Sequence, residues 1–237
     1  MTMHIVKSYE EELAGLDTQI AQMGGQVERL VADAIYALEN RAPELAETTV
    51  HSDASIDILE RQIEEQVVGM IARRQPMAMD LRQIMTVFRV SSDLERIGDL
   101  GKNIAKRAYA VAGENHPQGL VRGLRHMGDL ALEQLKNVLD AYSQRDAEKA
   151  VQVWQRDEDI DAMYNSLFRE FLTYMMEDPR NISLCTHMLF GAKNIERIGD
   201  HATNIAESVY FFVHGKELPN ERPKSDFTSS AVFKKDE

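Results

Sequence analysis

A thirteen-residue block occurs twice in this chain. Residues 94–106 read Leu-Glu-Arg-Ile-Gly-Asp-Leu-Gly-Lys-Asn-Ile-Ala-Lys, and residues 195–207 read Ile-Glu-Arg-Ile-Gly-Asp-His-Ala-Thr-Asn-Ile-Ala-Glu. Eight positions are identical at a constant offset of 101, from Glu95/Glu196 to Ala105/Ala206. A shared offset this long means two halves built on one plan. The match extends further at an offset of 104: Met23-Gly24 with Met127-Gly128, Arg41 with Arg145, Asp53 with Asp157, and Ile56-Asp57 with Ile160-Asp161. The slip of three residues falls around the proline turn between the second and third helices of the unit.

Helical periodicity fills the space between the few breakers. The first helix is expected over roughly 8–40, where Leu13, Leu16, Ile20, Met23, Val27, Leu30, Val31, Ala34, Ile35 and Leu38 recur at helical spacing. Pro43 opens a second over 43–73, since an early-turn proline gives up no needed hydrogen bond. Pro76 separates it from a third over 77–112, and Gly113–Gly119 is a linker rich in turn formers. Further helices are expected over 118–143 and 146–176. The last runs from Asp178-Pro179, an N-cap and first-turn proline, to about 213. The fold class is therefore all-α: two pseudo-symmetric antiparallel three-helix bundles, over 1–113 and 118–214, with a polar, mobile C-terminal tail over 215–237.

The repeated helices carry acids in i, i+4 pairs, which share one helix face. These are Asp53/Asp57 and Glu95/Asp99 in the first half, and Asp157/Asp161 and Glu196/Asp200 in the second. In an antiparallel hairpin, residues equidistant from the turn lie level. Asp57 with Glu95 and Asp53 with Asp99 both have their midpoint at Pro76, and both pairs of the second half centre between Asp178 and Pro179. Each quartet is thus expected to sit level, about 28 Å from its turn at ~1.5 Å per residue. Four converging carboxylates repel one another unless they are protonated or a cation holds them. Oxygen-only ligands favour hard or borderline metals such as Mg²⁺, Mn²⁺ and Fe. Asn103 and Asn204, one turn further along, offer amide oxygens. Arg96 and Arg197 are the rival cations. Gly98 and Gly199 interrupt helices at a cost of about 1 kcal/mol each, which points to close approach of a backbone or a ligand.

The bulk properties exclude several classes. A formal charge of −12 leaves no basic face for nucleic acid and suits cations or basic partners. The single cysteine, Cys185, allows no intramolecular disulfide, and its apolar surroundings make it a buried structural thiol. The N-terminal stretch lacks a signal-peptide core and no run approaches 18 apolar residues, so the expected compartment is the cytoplasm. A di-metal carboxylate oxidase of the four-helix type would use Glu-x-x-His pairs, and none occurs. No catalytic residue and no organic cofactor is expected.

The doubled E-R-I-G-D-x-x-x-N block, the acid pairs of the preceding helix, and the opening Tyr9-Glu-Glu-Glu-Leu13 followed by Met23-Gly24 resemble the PhoU family of phosphate-uptake regulators. The resemblance covers about 8–213. It implies a pair of three-helix bundles, often dimeric, whose E(D)xxxD motifs carry metal clusters of Fe, Mg²⁺, Mn²⁺ or Zn²⁺. Carried over, the ligands are Asp53/Asp57, Glu95/Asp99, Asp157/Asp161 and Glu196/Asp200. It further implies a cytoplasmic negative regulator of phosphate uptake and of the phosphate-starvation response. Such a protein couples the ATPase subunit of the phosphate ABC transporter to the phosphate-sensing histidine kinase, and meets the membrane only through partners or a bridging metal.

Overall fold

A computed structural model describes the backbone of residues 2–114 and 118–218 and the side chains of 9–114 and 119–218. Helices α1 (Thr2–Asn40), α2 (Pro43–Arg74) and α3 (Met79–Val111) pack on one another as the first antiparallel bundle. Helices α4 (Gln118–Gln144), α5 (Ala147–Gln155), α6 (Asp157–Glu177) and α7 (Ile182–His214) form the second, with α5 and α6 together standing where α2 stands in the first. The two bundles join through α1 against α4 and α3 against α7. Among the described residues there is no strand. The stripe expected on α1 is the core: Leu16, Ile20, Met23, Val27, Val31 and Ala34 are fully buried, so apolar burial at 3.6-residue spacing is what orients the helix.

The repeat extends to turn geometry. Arg41 and Arg145, matched at offset 104, both adopt left-handed backbone, at φ 52° and 54°. After each, a backbone N–H reaches five residues back: Ala42 to the Ala37 carbonyl at 3.1 Å, and Asp146 to the Ala141 carbonyl at 2.9 Å. This is the left-handed helix-end motif, here without glycine. The repeat also builds the junction between bundles. A Cβ on Gly24 of α1 would meet Leu139 Cδ1 of α4 at 2.9 Å, and one on Gly128 of α4 would meet Ile35 Cδ1 of α1 at 2.7 Å. Gly24 matches Gly128 and Ile35 matches Leu139 at the same offset, so each helix offers a bulky side chain to the other's glycine about a pseudo-twofold axis.

The expected elements need four corrections. The first helix begins at Thr2 rather than near 8. The helix expected over 146–176 is two helices, broken at Arg156 (φ −86°, ψ 4°). The break turns Asp157, Glu158 and Asp159 into the first turn of α6, where carboxylates face the positive end of the helix dipole. The last helix begins with a 3₁₀ turn over Pro179–Asn181. Asp178 caps that turn, accepting from the Arg180 N–H at 3.0 Å, and α7 proper starts at Ile182. The third helix begins at Met79 rather than 77, because Ala78 lies outside helical geometry at φ 48°, ψ −110°. At the far end Gly215 closes α7 at φ 69°, donating its N–H to the Phe211 carbonyl at 2.8 Å. The expected tail lies outside the described residues from Pro219 onward, as do residues 115–117 of the expected linker.

Candidate functional site

The first acid face lies on α2 and α3. Asp53 stands mid-helix on α2 and is 3 % exposed. The Lys102 ammonium on α3 donates both to Asp53 Oδ2 and to Asp99 Oδ1, the latter at 2.7 Å. One ammonium reaching both carboxylates places Asp53 and Asp99 level, as their common midpoint predicts. Burial works against the charge on Lys102, and the hydrogen bonds to Asp53 and Asp99 outweigh it, so its pKa lies above the ordinary lysine value. Burial pushes the Asp53 carboxyl up despite the pull of Lys102, with Asp57 and Asp99 adding to the push. Glu95 is also raised, by burial first and then by Asp99, with smaller pushes from Glu60 and Asp57. Glu60, which has no acidic counterpart in the repeat, therefore shares the field of this face. Arg96 lies at the rim, 3.5 Å from Glu95 Oε2 and 4.0 Å from Asp99 Oδ2.

The second face, on α6 and α7, is drier. Asp157, Asp161 and Glu196 are 2 %, 4 % and 5 % exposed, whereas the side chains of Glu95 and Asp99 are 23 % and 35 % exposed. Asp157 opens α6, and its Oδ1 accepts from the Thr203 hydroxyl at 3.1 Å. Glu196 Oε1 accepts from Lys193 Nζ at 2.8 Å along the same helix. Burial lifts the Glu196 pKa to about 7, with Lys193 opposing and Asp200 and Asp161 reinforcing. The lysines in both faces went unpredicted. Arg197, the arginine expected to compete here, is exposed.

Gly98 and Gly199 answer to packing from the facing helix. A Cβ on Gly98 would lie 3.2 Å from Ile56 Cδ1 and 3.5 Å from Asp53 Oδ1, and one on Gly199 would lie 2.9 Å from Ile160 Cδ1. Ile56 and Ile160 are themselves repeat partners. The missing Cβ lets the hairpin helices approach closely at the level of the acids.

The donor set suits a hard cation in its chemistry: it is carboxylate oxygen throughout, and Asp53 Oδ1 and Glu196 Oε2 are buried with no hydrogen-bond partner. Its convergence is incomplete. Among the described residues, no three His, Cys, Asp or Glu side chains come close enough together to hold a metal ion. Asn103 is exposed, and Asn204 Nδ2 donates to Asp93 Oδ1 on α3 at 3.4 Å, beside the His201 Nδ1 contact to the same oxygen at 2.9 Å. Asp93 and Asn204 line a cleft of about 500 Å³ between α3 and α7, with Arg89, Glu207 and Phe211, apart from the acid quartets. The single tryptophan, Trp154, is buried and donates its indole N–H to Glu207 at 3.1 Å, tying α5 to α7.

Two stretches of the chain, residues 20–108 and 124–209, match the PhoU domain. The chain belongs to the PhoU family. It is 57 % identical over 227 residues to the "Phosphate-specific transport system accessory protein PhoU homolog" of Rhizobium meliloti, covering 96 % of each chain. The crystal structure of PhoU from Pseudomonas aeruginosa is similar at a TM-score of 0.85 and 39 % identity, covering 88 % of this chain and all of the other. That of the phosphate transport system regulatory protein PhoU from Streptococcus pneumoniae is similar at 0.82 and 29 %, covering 89 % and 99 %. The two PhoU stretches carry the two acid faces, Asp53 to Asp99 in the first and Asp157 to Asp200 in the second. None of the helices described is long and apolar enough to cross a membrane.

Proposed function

We propose that the chain is a cytoplasmic regulatory adaptor that restrains phosphate uptake and the phosphate-starvation response when phosphate is plentiful. It would do so by coupling the ATPase subunit of the phosphate ABC transporter to the phosphate-sensing histidine kinase. The observation that carries this reading is full-length similarity to proteins named as accessory and regulatory components of phosphate transport. The site supports a binding role over catalysis. Its acids accept from two lysines and a threonine, contacts that suit a face built to hold positive charge.

The acid faces supply cation sites in this reading. Asp53, Asp57, Glu95 and Asp99 would hold one divalent ion, and Asp157, Asp161, Glu196 and Asp200 another. A bound cation supplies the positive charge that lets the level carboxylates stay ionised together. The chain's own residues do the rest: the helical hairpins hold the acids level, and Gly98 and Gly199 let the paired helices close on them.

Deletion of the gene tests the regulatory reading. Alkaline phosphatase in phosphate-rich medium is expected to become constitutive in the deletion strain. Normal repression there would remove the support for a repressing role.

A further inference from the structure

The two acid faces, alike in carboxylates, differ in their cations. Lys102 spans the first face, joining Asp53 of α2 to Asp99 of α3. At offset 101 its counterpart is Thr203, whose hydroxyl makes the matching contact to Asp157, so the equivalent position carries a neutral donor. Asp157 also differs in setting, because it opens α6 and faces a helix N-terminus. Asp53 lies in the middle of α2, where no helix terminus assists. The lysine of the second face, Lys193, donates to Glu196 of its own helix, lies over the Tyr164 ring of α6 at 5.0 Å, and does not match Lys102 in register; its counterpart in the first half is Ser92.

A buried aspartate away from a helix terminus needs a positive partner in the low-dielectric interior. Lys102 supplies one, yet Asp53 Oδ1 remains buried and unpartnered beside it. An ammonium donates and cannot accept, and its charge repels a second cation. Its side chain is 23 % exposed and flexible, so it has a route to solvent.

We propose that Lys102 is the resident cation of the first acid face, tying α2 to α3 in the absence of metal, so that a divalent ion enters this face only by displacing it. The proposal rests on the reading of the acid faces as cation sites. The first face is then self-neutralised and gated by Lys102.

Titration of Mn²⁺ into the purified full-length chain, wild type and Lys102→Gln, with calorimetric detection and thermal melts in chelator, tests this. Lys102→Gln is expected to bind Mn²⁺ at the first face at least about tenfold more tightly than wild type. It should melt lower in chelator and recover when Mn²⁺ is added. Asp53→Asn in the Lys102→Gln background should abolish the gain. Lys102→Arg keeps the charge, and should retain both the wild-type melt in chelator and the weak binding; it serves as the folded control should the glutamine variant misfold. Wild-type binding of Mn²⁺ with no gain in Lys102→Gln would overturn the lysine proposal and leave the cation reading standing. Absence of binding in both would overturn the cation reading and with it the exchange.

Discussion

Replacing Phe171 with alanine is expected to destabilise the protein by about 4 kcal/mol, within the range for a fully buried phenylalanine. Phe171 is completely buried on α6 and is among the largest fully buried side chains in the molecule. Its weight follows from the way the second bundle is cut. The break at Arg156 leaves α6 only 21 residues long, against 32 for α2. A shorter helix has fewer apolar anchors, and most helical stability in proteins comes from packing rather than propensity. Ile160, Tyr164, Leu167 and Phe171 are the buried anchors along the core side of α6. Loss of the last loosens the helix that carries Asp157 and Asp161 against α7, which carries Glu196 and Asp200. At ~2–4 °C per kcal/mol for a chain of this size, the melt should fall by roughly 8–16 °C. Differential scanning calorimetry reads this directly, and a fall of only a degree or two would show that α6 is held by something other than its core face.

Replacing Glu196 with glutamine is expected to stabilise the metal-free protein at alkaline pH. Burial raises the Glu196 pKa from 4.5 to about 7. Between those values the folded chain holds a proton that the unfolded chain has released, so stability falls as pH rises through the window. The penalty is absent below the unfolded value, grows from about 4.5, and is complete above about 7. Glutamine carries no charge and escapes it. Screening and the lost Lys193 contact reduce the gain, leaving about 2 kcal/mol at pH 8.5 and nothing near pH 4. Melts of the two proteins at matched pH check this; a glutamine variant less stable than wild type at pH 8.5 would mean that Lys193 already neutralises Glu196 in full.

Much of this was legible in the sequence because it depends on local periodicity. The offsets of 101 and 104 carry the two bundles, the matched turns at Arg41 and Arg145, and the level placement of Asp53 with Asp99. What escaped was decided across helices. Lys102 and Lys193 each stand three residues from an acid, a spacing shared by countless solvated pairs. Only the partner helix turns Lys102 into a bridge to Asp53. Asn103 and Asn204 continue the i, i+4 step of the acids to i+8. At 3.6 residues per turn that position has rotated by about 80°, enough for Asn204 to meet Asp93 of α3 instead. The break at Arg156 had a signal, three successive acids suited to a helix N-terminus, but no proline or glycine marked it. Gly98 and Gly199 point in the sequence to close approach of a backbone or a ligand, and the structure places side chains there. The atoms that approach are those of Ile56 and Ile160.

The most direct measurement of whether the acid faces carry the regulatory function is complementation of the deletion strain. The wild-type gene would be compared with one encoding Asp57→Asn, Asp99→Asn, Asp161→Asn and Asp200→Asn together, with alkaline phosphatase assayed in phosphate-rich medium and circular dichroism confirming that the variant is folded. Wild type is expected to restore repression, and the folded quadruple variant to leave the enzyme constitutive. Full repression by the variant would contradict the assignment and place the function elsewhere on the molecule.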